Sequence, residues 1–334
     1  MISANTNWKT KPFLLQPVGK DYLWGGSRLN DDFSKNIDME PLAETWECST
    51  HPDGPSIVAS GDFAGKNLSD VLKLFPEFLG THPRTKGELP ILIKFIDAKK
   101  DLSVQVHPDD EYAMANENGS LGKSEMWYVL DATKDAKLVY GFYHDMTKEK
   151  LRQSLEEGTL EKFLQKVPVQ KDDVFYIEAG TVHAIGAGAL IAEIQENSNL
   201  TYRLYDYNRV DKNGQKRELH VDKALAVADL KSSSEPVQPM RVLKYQKGCA
   251  SELLCRCKYF QVERMLLNTE QNRDLVDFQT QENSFQVLLC TEGCGVIFGQ
   301  DVMLNFFKGD CIFVPANSIP LKIHGKAQML NVWC

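Results

Sequence analysis

Histidine, glutamate and glutamine occur along this chain at spacings that strand geometry would bring onto shared faces. In Ser103-Val-Gln-Val-His-Pro108 the valines at 104 and 106 point one way on an extended strand, so Gln105 and His107 share the other face. The same parity puts Lys123, Glu125 and Trp127 on one face of the next run. A second histidine, His183, sits at a Gly180-Thr-Val-His turn beyond the strand-like stretch Val174–Glu178. Two imidazoles, a carboxylate and an amide oxygen make a borderline-hard ligand set that suits Zn2+ with an open position for water or substrate; the same His/His/Glu set also binds Fe2+. Taken singly, a strand histidine is more often satisfied by hydrogen bonds than by a metal, and a glutamate is by default a surface carboxylate. The remaining histidines, His51, His82, His144, His220 and His324, are read as turn or surface residues.

Other polar side chains interrupt apolar strands nearby. Ala189–Gln195 alternates so that Ile191, Glu193 and Gln195 share a face, and Thr201, Arg203 and Tyr205 do the same on the next run, while Lys94 stands between Leu92 and Ile96. Lys94, Lys123 and Arg203 together suggest a pocket for a small anion, because guanidinium and ammonium groups held in place recognise phosphate. A buried Glu193–Arg203 ion pair is the structural alternative.

The elements that must position these residues are mostly short apolar runs with period two: Leu89–Phe95, Leu102–His107, Met126–Leu130, Val174–Ile177, Leu190–Gln195, Gln261–Leu267, Phe285–Leu288 and Cys311–Val314. Helical spacing appears in Asn67–Phe75, Pro108–Asn116 and Val221–Leu230, the last with Asp222 as N-cap. The longest helical segment, Thr147–Lys166, is expected to be two helices broken at Gly158.

An internal repeat organises the chain. Gln170-Lys-Asp-Asp-Val-Phe-Tyr-Ile-Glu-Ala-Gly180 matches Phe307-Lys-Gly-Asp-Cys-Ile-Phe-Val-Pro-Ala-Asn317, and upstream Glu125–Leu130 matches Asn283–Leu288 at a longer offset. The two offsets differ by the length of the helical segment 146–166, so the first copy is the second with an insert. Asn283 and Pro320 fall where the first copy has Glu125 and His183, leaving a ligand set in one copy only. A purely fold-stabilising role would not predict that difference. The stretch 231–240, with three serines and two prolines, reads as an exposed connector.

The chain has 334 residues with 46 acidic and 38 basic side chains, a net charge of −8 that disfavours nucleic acid and anionic membrane as partners. At 43% hydrophobic and 25% charged it is a globular chain, and disorder is excluded. Lys9 and Lys11 have no apolar stretch behind them and nothing approaches a membrane span, so a cytoplasmic protein is expected. The eight cysteines contain no CxxC pair; they are expected to be reduced and structural, with Cys255 and Cys257 on one buried face.

The ordered set Leu89-Pro-Ile-Leu-Ile-Lys94, Ser103-Val-Gln-Val-His-Pro-Asp109, Gly122-Lys-Ser-Glu-Met-Trp127, Ala179-Gly-Thr-Val-His-Ala-Ile185 and Glu193-Ile-Gln-Glu-Asn-Ser-Asn-Leu-Thr-Tyr-Arg203 resembles type I mannose-6-phosphate isomerases, most closely their short bacterial form. Tyr22-Leu-Trp-Gly-Gly26 and Ala43-Glu-Thr-Trp-Glu47 look similar too, so the match runs from about residue 14 to the C-terminus. The resemblance implies a mainly β tandem cupin, two jelly-roll barrels with short helical insertions. Residues 1–235 would form the metal-binding catalytic module and 236–334 a second module without ligands. It implies one Zn2+ per chain on His107, Glu125 and His183 with Gln105 as a fourth ligand, Arg203 and Lys123 as active-site cations, Lys94 as a further substrate-binding lysine, and Glu193 as acid/base carboxylate. The middle of Lys-Ser-Glu125 is a departure, since longer members tend to have proline there.

The implied reaction interconverts mannose 6-phosphate and fructose 6-phosphate, with zinc stabilising an enediolate and Glu193, a group of tuned pKa near the reacting carbon, as base. Two other classes carry the same ligands: an iron-dependent cupin dioxygenase, and a non-enzymatic sugar-binding or storage cupin. The Lys94, Lys123 and Arg203 cluster argues against the dioxygenase, whose aromatic diol substrate has no phosphate to hold.

Overall fold

The strands Ile91–Asp97 and Ala189–Glu196 are buried at every residue, which requires cover on both faces. In the computed structural model, which describes residues 10–85, 87–210, 213–234, 236, 238–270 and 275–334, both faces are covered. Lys9 and connector positions 235 and 237 lie outside the described residues.

Six antiparallel strands form the central sheet in the order Val174–Ile177, Glu125–Ala132, Ala189–Glu196, Ile91–Asp97, Glu44–Cys48, Val18–Lys20. Ile93, Phe95, Met126, Tyr128, Ala192 and Ile194 point to one side and pack on Leu254, Val262, Val287, Phe313, Leu330 and Val332 of the C-terminal half. Ile96, Trp127, Val129 and Ile191 point to the other side, meeting Leu138 and Ile185 of a five-stranded sheet ordered Tyr202–Tyr205, Val104–Val106, His183–Ile185, Lys137–Phe142, Leu164–Pro168. The outer face of that second sheet, with Val106, Val139, Ala184 and Leu204, is closed by the helices Lys148–Glu156 and Val221–Val227. The first half is thus a two-sheet sandwich in which inward and outward residues alternate, and the chain as a whole is mainly β with few helices.

The C-terminal half contributes eight strands to a ten-stranded sheet built around the long strands Gln286–Gly299 and Leu321–Trp333. Its interior is filled by Leu288, Ile297, Phe306, Ile312, Val314 and Met329, all apolar. Asn283 and Pro320 are both exposed. Two N-terminal strands also join this sheet: Phe13–Gln16 pairs with Cys311–Val314 on one side and with Ile57–Val58 on the other.

The segment 147–166 is not two helices. Lys148–Glu156 is helical, with the Thr147 hydroxyl accepting from Lys150 N, and Gly158 at φ +66 ends it. A single 3-10 turn then leads into the strand Leu164–Pro168 on the sheet edge, because pairing with Lys137–Phe142 outweighs the local helical spacing. Asp222 does not cap its helix; it lies in the first turn and pairs with Arg152 at 2.6 Å. All eight cysteines are free, and Cys255 and Cys257 belong to the core between the two halves.

Candidate metal centre and substrate cleft

The two inner sheets of the first half bring the polar interruptions together. Glu125 stands at the start of its strand opposite Gln195. From the facing sheet come His183 and Gln105, which are register partners, and His107 one residue past Val104–Val106. One ligand atom from each of His107, Glu125 and His183 lies within 4.8 Å of the others, and all three residues are buried.

The imidazoles are oriented from behind. His107 Nδ1–H donates to Leu200 O at 2.8 Å and His183 Nδ1–H to Thr181 O at 2.8 Å, which leaves both Nε2 lone pairs facing inward. They stand 3.6 Å and 3.4 Å from the two oxygens of Glu125. Burial, reinforced by Lys123, holds the His107 ring well below its usual pKa, and burial lowers His183 to about 4, so both rings are neutral near pH 7. His107 Nε2 and Glu125 Oε1 are buried without a hydrogen-bond partner, and Glu125 Oε2 has only the Lys123 ammonium beside it. Converging acceptors that outnumber their donors fit a cation, and a divalent metal on two neutral imidazoles and a carboxylate satisfies all of them. Gln105 Nε2 lies 3.4 Å from His183 Nε2, and a half-turn of the amide presents its oxygen at the same place.

Beside this cluster a row of cross-strand neighbours runs over the central sheet: Trp46, Lys94, Glu193, Trp127 and Phe175. Lys94 Nζ is 3.0 Å from Glu193 Oε1 and 3.9 Å from Glu44. Lys123 Nζ is 3.1 Å from Glu125 Oε2 and 4.0 Å from Glu193 Oε1. Glu193 therefore pairs with lysine, and no Glu193–Arg203 pair forms among the described residues. Burial alone would raise the Glu193 carboxyl, but Lys94 and Lys123 draw it down to about 2. Glu125 is pushed up to about 7 by burial and by the charge of Glu193, against the pull of Lys123.

Arg203 approaches from the five-stranded sheet as the register partner of Gln105. Its Nη1 donates to Glu218 O at 2.8 Å, its backbone N–H donates to His220 Nδ1, and its Nε is buried without a partner. A cleft of about 250 Å3 is lined by Lys94, Gln105, Lys123, Glu193 and Arg203 together, so the structure gathers these five around one space. A larger surface groove of about 530 Å3 between the helices Lys148–Glu156 and Val221–Val227 is lined mainly by charged side chains and contains none of them.

Further residues lining the cleft include Tyr22, Glu44 and Arg217. Tyr22 and Glu44 sit within the family-like segments 22–26 and 43–47, and the parity that turns Trp46 inward turns Glu44 inward too. Arg217 is in a loop without periodicity and is anchored by two hydrogen bonds to Asp206, at 2.8 Å and 2.6 Å, which only the folded chain reveals.

Known proteins resemble this chain along most of its length. Residues 13–122 match the model of the phosphomannose isomerase type I catalytic domain, and residues 251–333 match that of the mannose-6-phosphate isomerase cupin domain. The mannose-6-phosphate isomerase ManA of Bacillus subtilis (strain 168) is 37% identical over 96% of this chain and 98% of its own. A crystal structure of the Bacillus subtilis mannose 6-phosphate isomerase superposes with a TM-score of 0.88 at 34% identity, covering 96% of this chain and 99% of that one. A holo, zinc-bound mannose 6-phosphate isomerase shares the fold at a TM-score of 0.75 and 16% identity, over 96% and 99% of the two chains.

Proposed function

The chain belongs to the type I mannose-6-phosphate isomerase family, and from that premise we propose a zinc-dependent, enediol route for its interconversion of mannose 6-phosphate and fructose 6-phosphate. The observation that carries the metal is the convergence of the buried acceptors of His107 Nε2 and Glu125, of which only Oε2 has a donor beside it, with the inward Nε2 of His183, a grouping found only in the first module among the described residues. Gln105 is placed to complete the set. Zinc held by these residues would supply Lewis acidity to polarise the substrate carbonyl and stabilise the developing enediolate charge. One ion per chain is expected, because among the described residues only His107, Glu125 and His183 bring three such ligand atoms together.

The chain's own residues do the rest. Glu193 is ionised throughout the neutral range and accepts the proton leaving C2 of the aldose at Oε1, the oxygen flanked by Lys94 and Lys123, then returns it to C1. Its basicity rises where substrate oxygens compete with it for Lys94. Lys123 and Arg203 reach the cleft from opposite sheets and hold the phosphate dianion, with Arg203 also stabilising charge that develops on the reacting oxygens. Residues 1–235 act as the catalytic module and 236–334 as its support. A cytoplasmic location is part of this proposal; among the described residues no helix is long and apolar enough to cross a membrane.

The test is a coupled assay for fructose 6-phosphate formed from mannose 6-phosphate, with elemental analysis of the protein. Turnover should vanish on chelation and return with Zn2+, at one zinc per chain. Two tightly held metals, or metal retained after His107→Ala and His183→Ala together, would overturn the ligand assignment. Isomerisation in deuterated water should place label at C1 or C2.

A further inference from the structure

Glu193 is held by more than its lysines. On the central sheet Trp127 is its direct cross-strand neighbour on the side opposite Lys94, and the indole Nε1–H donates to Glu193 Oε2 at 3.1 Å. The two carboxylate oxygens are thereby distinguished. Oε1 faces two ammonium groups, Lys94 at 3.0 Å and Lys123 at 4.0 Å, while Oε2 is bound by a neutral donor. The indole itself is fixed: Trp127 is 1% exposed, packs within the core of the first sandwich, and its ring stands edge-on to His183 with centroids 5.4 Å apart. A tryptophan whose only polar side-chain atom is spent on one carboxylate oxygen is well suited to orient that carboxylate.

We infer that Trp127 is a positioning residue for the isomerisation: by binding Oε2 of Glu193 it holds the carboxylate plane so that Oε1 alone carries the proton between C1 and C2. The inference rests on the reading of Glu193 as the acid/base group. Trp127 does not line the cleft, so its effect on the reaction passes through Glu193. A free carboxylate could rotate and engage both lysines with both oxygens, and the proton-accepting atom would then be displaced from the reacting carbons.

The experiment is steady-state kinetics on the full-length zinc enzyme with mannose 6-phosphate, comparing Trp127→Phe, Glu193→Gln and the double variant, each with zinc content measured. Loss of one hydrogen bond to a charged group should lower kcat of Trp127→Phe by roughly ten- to a hundred-fold with KM nearly unchanged. If Trp127 acts only through Glu193, the double variant should be no slower than Glu193→Gln alone. A wild-type kcat for Trp127→Phe beside a slow Glu193→Gln overturns the inference and leaves the base in place. Additive losses in the double variant also overturn it, since they mark a role in packing. Wild-type turnover by Glu193→Gln removes the base assignment and this inference with it. Should Trp127→Phe lose zinc through its contact with His183, replacement of Trp127 by β-(3-benzothienyl)alanine, which keeps the ring shape but lacks the N–H, is judged by the same criteria.

Discussion

Metal affinity at this site is set by three protonation states that the fold moves in opposite directions. An exposed histidine competes with metal for a proton below about pH 6.5. Here burial keeps His183 neutral down to about 4 and, with the charge of Lys123, holds His107 well below the usual imidazole value, so neither should release a proton when metal enters near pH 7. Glu125 behaves differently: raised to about 7, it is protonated in the metal-free protein below that pH and must lose the proton to become a ligand. Zinc affinity should therefore rise with pH up to about 7 and then level, and calorimetry in buffers of different ionisation heat should show up to one proton released below pH 7. Release of two would mean that the histidines titrate normally. Lys123 couples to the same group. If Lys123 held only phosphate, Lys123→Met would chiefly raise KM, but it lies 3.1 Å from Glu125, so the substitution should also change zinc affinity and lower kcat. Arg203→Ala should lower kcat and raise KM, by roughly ten- to a hundred-fold in kcat/KM, with zinc intact. Wild-type kinetics for that variant would show that Arg203 only braces its loop through Glu218.

The elements differ in how closely they govern the site. Lys123 and Glu125 come directly after a turn in which Gly122 lies against another backbone segment: a Cβ there would meet Asp109 C at 2.4 Å and Asp110 N at 2.5 Å. Neither neighbour is a flexible side-chain end, so Gly122→Ala has to shift the turn. It should cost about 1–3 kcal/mol and reduce activity, because the displaced residues include a metal ligand. The helix Lys148–Glu156 sits on the far side of the five-stranded sheet. Removing its cap with Thr147→Ala should cost about 1 kcal/mol and leave kcat and KM unchanged. Urea unfolding and steady-state kinetics on both variants check the contrast; equal activity loss in the two would mean that the helix influences the cleft.

At the scale of the whole molecule, the two halves share a core rather than a linker. The outer face of the central sheet, with Phe95, Met126, Tyr128 and Ile194, is buried against the C-terminal sheet, and Phe13–Gln16 is itself a strand of that sheet. Lys35 and Glu47, 4% and 0% exposed, form an ion pair at 2.7 Å on this side of the central sheet, and Thr45 adds a hydrogen bond to Glu47. A fragment ending at residue 235 would expose the apolar face and leave Phe13–Gln16 without its partner Cys311–Val314. It should lack cooperative unfolding and bind hydrophobic dyes, even though it contains every proposed ligand. A cooperative, zinc-binding and active fragment would show that the second half is dispensable.

Period-two alternation is enough by itself to put Gln105 with His107, Glu125 with Lys123 and Trp127, and Glu193 with Gln195 on shared faces, because side-chain direction in a strand follows parity alone. The motif order likewise points to the family and the mainly β cupin. What parity does not contain is which strand lies beside which. That Glu193 pairs with Lys94 rather than Arg203 depends on Ile91–Asp97 being the neighbour of Ala189–Glu196, and long-range packing makes that choice. The strand Leu164–Pro168 reads as helix locally and is recruited to a sheet edge by Lys137–Phe142, a partner on the other side of the helix Lys148–Glu156 in the chain. The low basicity of Glu193 and the high pKa of Glu125 are equally tertiary facts, since burial and the distances to two lysines exist only once both sheets have closed over the cleft.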